Sequence, residues 1–183
     1  MHELHKAIGD IFESQCAKAA LKTCKVVKDP ACGGEQNIPL FCSPKKSADV
    51  EYCDVDLLVQ KGNKVKVIIE IEESNVTPIQ LFGKLLASAL SRCYVHDGAA
   101  PVMMDDSILF VQIVDTSKLK KERSSKVTQW INIERSIRRV LPIRSSGICC
   151  YRLLYGDAKE FTPDGEKGKT LVTCIQTFLH HDP

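Results

Sequence analysis

The chain carries two pairs of acids, each spaced by one residue: Asp54-Val55-Asp56 and Glu70-Ile71-Glu72. A Gly62-Asn63 turn signal lies between them. Side chains alternate across a β-strand, so a spacing of two places both acids of a pair on one face. If the intervening residues form a hairpin, the two pairs meet at its open end. Residues directly opposite one another on neighbouring strands have Cβ atoms about 5 Å apart. Carboxylates that close share either a proton or a cation. Magnesium takes one or two carboxylates plus water and phosphate oxygens, which such a cluster can offer. The chemistry this spacing points to is metal-assisted phosphodiester hydrolysis. The competing reading is a solvated acidic strand edge, which is common for single acids.

The elements that must position these acids are two strands, over residues 48–60 and 64–73. Cys53, Val55, Leu57 and Val59 alternate as apolar positions on the first, and Val65, Val67, Ile69 and Ile71 on the second. The other face carries Leu58 and Ile68 near the turn and the acids at the far end. A loop of Gly62-Asn63-Lys64 sets Asp56 opposite Glu70 and Asp54 opposite Glu72. A loop of Lys61-Gly62-Asn63 sets Asp54 opposite Glu70 instead. A two-residue loop is expected to send the acid pairs to opposite faces and bury half of them.

Around this hairpin the periodicity predicts a helix from residue 3 to about 24, with Leu4, Ile8, Ile11, Phe12, Gln15 and Ala19 on one stripe. A Gly- and Pro-rich stretch over 29–39 breaks it, and 40–42 reads as a short strand. Thr77 and Pro78 are a helix start, as N-cap and first helical residue. The helix they open is expected to line Ile79, Phe82, Leu86, Ala89, Leu90 and Cys93 along its core side. Residues 107–114 read as a buried strand, 127–141 as an amphipathic helix stopped by Pro142, 148–154 as a strand and 171–180 as a closing helix. The order α-β-β-β-α-β-α-β-α implies one α/β domain, residues 1–183, with helices packed on a central sheet.

The stretch from Asp54 to Glu72, Asp-Val-Asp-Leu-Leu-Val-Gln-Lys-Gly-Asn-Lys-Val-Lys-Val-Ile-Ile-Glu-Ile-Glu, resembles the core of the PD-(D/E)XK nucleases, the restriction-endonuclease-like superfamily. That core has an Asp on one strand, a turn, then Glu-X-Lys on the next, after one helix and before another. The resemblance implies a restriction-endonuclease-like mixed central sheet flanked by helices. It also implies a metal-dependent DNA endonuclease, a hydrolase using Mg²⁺ or Mn²⁺, with restriction-type cleavage as the first expectation. A DNA repair or junction nuclease, or a catalytically silent DNA-binding module of the same fold, are the alternatives. By the same resemblance Asp56, or Asp54, binds the metal together with Glu70. Glu72 stands where the superfamily usually has lysine, a variant that some of its restriction enzymes share. A replacement cation is expected from Lys84, one turn after Gln80 on the side of its helix away from the apolar stripe. Glu72 or Lys84 would then orient the attacking water or take its proton. Glu13 is the candidate for the additional acid that the superfamily often draws from its first helix.

Residues 118–144 carry Lys118, Lys120, Lys121, Arg123, Lys126, Arg135, Arg138, Arg139 and Arg144 against Glu122 and Glu134. Such a segment neutralises phosphates and supplies sequence-independent affinity for DNA. A solvated basic helix is the plainer reading of the same residues.

With 183 residues, a formal charge of +2, 44% hydrophobic and 26% charged residues, the composition is that of an ordinary globular chain. No apolar run approaches the roughly 20 residues that cross a membrane, and the first residues lack the apolar core of a signal peptide. The expectation is therefore a cytoplasmic protein with no membrane association, of a size that suits one subunit of a homodimer. The nine cysteines show no zinc-knuckle spacing, so reduced and mostly buried thiols are expected. A zinc site from Cys16, Cys24, Cys32 and Cys42 is the alternative.

Overall fold

The computed structural model describes residues 3–45, 47–73, 76–96, 99–119 and 124–181. In chain order the elements are α1 (Glu3–Glu13), α2 (Gln15–Ala20), β1 (Cys24–Lys28), β2 (Pro39–Phe41), β3 (Glu51–Asp54), β4 (Leu57–Lys61), β5 (Lys64–Glu72), α3 (Pro78–Leu90), β6 (Cys93–Tyr94), β7 (Val102–Asp115), α4 (Ser124–Val140), β8 (Ile148–Gly156) and α5 (Glu166–His181). The strands form one mixed sheet in the order β1-β4-β5-β7-β6-β2-β3, with β8 also paired to β7. β5, β7 and β8 run parallel; on one flank β4 runs antiparallel to β5, and β1 runs antiparallel to β4 at the edge. The protein is thus mixed α/β, a central mixed sheet flanked by helices. No helix among the described residues is long and apolar enough to cross a membrane.

The sheet divides the core in two. On one face Leu58, Val65, Ile68, Phe110 and Val114 pack with Leu81, Leu85 and Ala89 of α3 and Trp130, Ile133 and Ile137 of α4. On the other, Leu57, Val59, Val67, Ile69 and Ile71 pack with Leu4, Ile8, Ile11 and Phe12 of α1 and Leu171, Ile175 and Leu179 of α5. Burying each of these large side chains contributes about 1.5–3 kcal/mol. α1 sits close because Gly9 has no side chain, and a Cβ there would collide with the carbonyl of Cys32.

Three local expectations change. The first helix is interrupted at Ser14, whose side chain accepts the Ala17 N–H at 3.2 Å and starts α2 anew. The break rotates the apolar stripe, so Ala17 is buried while Gln15 and Ala19 are exposed. Residues 24–28 then form β1, whose Val26-Val27 pair suits a strand and whose Lys25 and Lys28 suit an exposed sheet edge. The strand expected over 48–60 is two strands: β3 turns away to pair with β2, and only β4 pairs with β5.

The hairpin itself closes through two residues, Gly62-Asn63, with Lys61 opposite Lys64 and Gly62 at φ 61°. Taken alone, that loop would scatter the acids. A bulge removes the conflict: Lys66 is an extra residue between Val65 and Val67, so Val59 faces Val67 and Leu57 faces Ile69. Continued by one residue, this register brings Asp56 beside Glu70.

Candidate functional site

Where β3 and β4 part company, β5 is left with a backbone N–H that has lost its ladder partner. Asp56, in the gap between the two strands, supplies the replacement: its Oδ2 accepts the Ile71 N–H at 2.6 Å. That bond fixes the Asp56 carboxylate beside the end of β5. Glu70 and Glu72 project from the sheet face covered by α3, and Glu70 lies next to Gln112 of β7. Glu70 is 0% exposed.

α3 delivers a cation to this point. Its start follows the sequence closely: Thr77 accepts the Gln80 N–H, Gln80 caps the Thr77 N–H in return, and Pro78 opens the helix. One turn further on, Lys84 Nζ lies 2.7 Å from Glu70 Oε2 and 3.8 Å from Glu72 Oε1. The rotation of the helix is also held by Gln112, which donates to the Leu81 carbonyl at 3.3 Å and accepts from the Tyr151 hydroxyl at 2.6 Å.

α1 contributes from the other side, through residues the sequence reading passed over. Glu73, directly after β5, accepts the N–H groups of Leu4 and His5 at 3.0 and 3.3 Å. These are orphan donors of a helix N-terminus, where a carboxylate is doubly favourable. His5 is thereby held between acids, with Nδ1 3.0 Å from Glu73 Oε1 and Nε2 3.4 Å from Asp56 Oδ1. The signal was present in the run Glu70-Ile71-Glu72-Glu73 and in a histidine one residue from the first core position, Leu4.

The charges reshape one another. Burial pushes the Glu70 carboxyl up to about 8, against the pull of Lys84 and with further upward pressure from Asp56 and Glu72. Burial raises Glu72 as well, again opposed by Lys84. Burial disfavours charge on His5, but its hydrogen bonds to Asp56 and Glu73 prevail and lift it to about 9. Lys84 behaves alike: desolvation works against it, Glu70 outweighs that, and the ammonium is held above the usual lysine range. Two carboxylate oxygens, Glu70 Oε1 and Glu72 Oε1, are buried without a hydrogen-bond partner among the described residues.

That pair of orphaned oxygens is the test of whether a metal fits. Among the described residues no three His, Cys, Asp or Glu side chains converge into a ready chelating set. A site of the zinc type, closed by three or four protein ligands, is therefore not formed by them. Magnesium and manganese sites ask for less, one or two carboxylates with water and phosphate making up the shell. Any two of Asp56, Glu70 and Glu72 are as many carboxylates as that lower demand asks for.

The remaining sequence candidates lie elsewhere. Asp54 is on β3 opposite Pro39 and is exposed. Glu13 belongs to a surface ion-pair group, 2.8 Å from Lys18 and 2.6 Å from Lys28, and the hydrogen bonds from Lys18 and then Lys28 hold it at about 2. Lys120, Lys121 and Arg123 lie outside the described residues. Because β7 and β8 are parallel, α4 must run back against them, over about 25 Å for its length. Lys126 therefore sits towards the carboxyl ends of the strands, where Glu70 is. Arg135, Arg138 and Arg139 are exposed and sit towards the opposite end, near the turn that leads to Gly147. Closer to the acids, a cleft of about 510 Å³ runs past Glu3, Leu4 and Glu73 and is lined by both charges, Asp115 and Asp157 beside Lys118 and Lys159.

All nine cysteines are free thiols; Cys32 and Cys93 are buried, Cys16 and Cys150 exposed, and the rest half-buried, so burial is less general than expected. No protein-family model, no curated protein and no solved structure matches this chain.

Proposed function

We propose that this protein is a Mg²⁺- or Mn²⁺-dependent DNA endonuclease of the restriction-endonuclease-like, PD-(D/E)XK superfamily, in its Glu-X-Glu variant and with restriction-type cleavage. The observation that carries the reading is Glu70: a fully buried carboxylate, flanked by Asp56 and Glu72, with one oxygen left without a hydrogen bond. A buried carboxylate without full compensation costs several kcal/mol of order, and a fold tolerates it where a cation completes it.

In this reading Asp56 and Glu70 hold the ion, with Glu72 beside them. When bound, the ion would lower the pKa of a bound water and offset charge on the scissile phosphate. Asp56 is kept in place by the Ile71 N–H and by His5, so it enters the site already oriented. Lys84 supplies from α3 the positive charge that position 72 lacks, 2.7 Å from Glu70, where it can orient a water or steady a phosphate oxygen. Glu72, with burial raising its proton affinity, is the group suited to accept the water's proton. DNA would approach along Lys118, Lys159 and Lys126, while Arg135, Arg138 and Arg139 would meet the duplex further away.

A catalytically silent DNA-binding module of the same fold is favoured by one observation: Lys84 and His5 already offset part of the acidic charge. Incubation with plasmid DNA and Mg²⁺ or Mn²⁺ separates the two. Cleavage is expected from the parent, with a fall of about 10³-fold or more in Asp56→Ala and Glu70→Ala. Variants that cut as well as the parent would sink the endonuclease assignment. A parent that binds DNA, leaves it intact and shows no carboxylate-dependent Mn²⁺ binding by calorimetry would establish the silent module.

A further inference from the structure

α3 and α4 pack on the same face of the sheet and turn opposite chemistry outward. The sequence pattern expected Ile79, Phe82, Leu86 and Leu90 of α3 to face the core. They are instead 43% to 80% exposed, and Leu81, Leu85, Ser88 and Ala89 make the buried side. That outer surface is apolar, and nothing on it specifies what covers it. α4 is different. Trp130, Ile133 and Ile137 are buried, while Ser125, Thr128, Gln129, Asn132, Arg135 and Arg139 are all exposed. At 100° per residue these six fall within about 120° of arc. Among the described residues, no acid and no apolar side chain of α4 shares that arc. The single acid of the helix, Glu134, is turned aside: it accepts the Leu153 N–H at 3.3 Å and lies 3.5 Å from Arg152. What α4 shows to solvent is therefore cations mixed with uncharged amides and hydroxyls. Those are the groups that bind phosphates and base edges.

The helix also stands as a ridge. A cleft of about 590 Å³ parts it from Pro78 and Phe82 of α3. On its other flank a cleft of about 390 Å³ is lined by Arg138, Arg152 and Thr177. A helix with its side chains is about 10–12 Å across, and the major groove of B-DNA is about 12 Å wide. Furrows on both flanks leave room for the two phosphate strands that border such a groove.

Taking the acids as the DNA-cutting site proposed above, we infer that the amino half of α4 enters the major groove of duplex DNA, where Asn132 reads an adenine. Asn132 lies near the middle of the outer arc, with Thr128 one turn before it. Its amide can accept from N6 and donate to N7 of adenine, a pattern that distinguishes A·T from the other base pairs in that groove. Gln129, the other amide, lies at the edge of the arc and accepts from Lys126 at 3.5 Å. The placement relative to the acids agrees. α4 starts at the carboxyl ends of β7 and β8, and β7 is the neighbour of β5, which carries Glu70. The base read and the phosphate cut would thus lie on one short stretch of duplex. Arg135 and Arg139, further from the acids, would reach phosphates.

Selection of binding sites from a random duplex pool tests this, with Ca²⁺ in place of Mg²⁺ so that bound DNA stays intact. The parent should enrich a shared site that contains a fixed A·T pair. Asn132→Ala should lose discrimination at that pair alone, by about 5- to 150-fold. Its affinity for unselected DNA, and the salt dependence of that affinity, should match the parent's, because the amide carries no charge. Its melting temperature should match too, since Asn132 is exposed. Duplex RNA should compete poorly, because its major groove is too deep and narrow for side chains to read. A pool without enrichment overturns the inference. So does a preference that survives Asn132→Ala, or duplex RNA that competes equally. A parent that cuts through Asp56 and Glu70 without base preference overturns the reading role of α4 and leaves the nuclease standing. A parent that selects a site through Asn132 yet leaves it intact with Mg²⁺ or Mn²⁺ supports α4 as the reader and ends the nuclease assignment.

Discussion

The two ends of β5 handle buried charge in opposite ways. At the amino end, the bulge residue Lys66 is buried and pairs with Asp105 at 3.2 Å. At the carboxyl end, among the described residues, Asp56, Glu70, Glu72 and Glu73 gather around Lys84 and His5, and Glu70 is pushed up to about 8 chiefly by burial. The first arrangement is what a fold uses to settle a charge it must bury. The second keeps an acid, Glu70, whose ionised form burial disfavours, and such sites are where function is to be sought.

After loss of the acids themselves, the largest expected effect distinguishes these ends directly. Lys84→Met should lower DNA cleavage about 100-fold, the usual scale for a group that assists proton transfer or orients water. Asp105→Asn at the other end should leave cleavage unchanged and lower the melting temperature only. If Lys84→Met retains full activity, Lys84 merely balances charge, and the two ends of β5 are alike in that respect.

Proton linkage sharpens the contrast next. Glu70 must lose its proton to hold a cation, and its carboxyl titrates at about 8. Mn²⁺ affinity measured by calorimetry should therefore fall about tenfold for each pH unit below 8, and level off above it. A flat profile between pH 6 and about 8 would show that Glu70 is not the ligand.

Stability should follow the opposite sense. The folded Glu70 binds its proton more tightly than the unfolded chain does, so its contribution is full below the ordinary carboxylate range and declines as pH rises towards 8. Glu70→Gln, which keeps the shape without the charge, should thus melt higher than the parent above pH 8, by several degrees for a gain of about 2 kcal/mol. Thermal melts across pH check it; a lower melting temperature for Glu70→Gln at every pH would mean that the ion pair with Lys84 stabilises the fold outright.

The smallest effect concerns DNA. Lys126→Ala should reduce the slope of log affinity against log salt by about one, as loss of one phosphate contact does. Arg139→Ala, near the amino end of the parallel strands, should change it less. Filter-binding titrations at several salt concentrations decide, and equal effects would place the duplex across the whole of α4.

Much of this was legible in the residues. Thr77-Pro78 announced α3 because capping is local chemistry that tertiary packing rarely overrides. Lys84 could be nominated from helical spacing alone, and the acids of β5 from the period of a strand. The face of α3 could not be chosen: with apolar residues on nearly every side, periodicity has no preferred direction, and the Lys84–Glu70 ion pair with the Gln112–Leu81 bond decided it. Glu13 seemed as good a helical acid as any, yet His5 is the residue of α1 that meets the site, because Glu73 captures the first turn of that helix and not the last.

Composition, spacing and alternation by themselves determined a mixed α/β chain with acids grouped at a strand end and a lysine one helix away, since those properties depend on neighbours along the backbone. Only the folded structure decided that β3 leaves β4 at Asp56, that the Lys66 bulge brings Asp56 back beside Glu70, and that Asp54 stays outside. A bulge and a strand crossing arise from contacts between residues far apart in the chain, which leave no periodic trace in it.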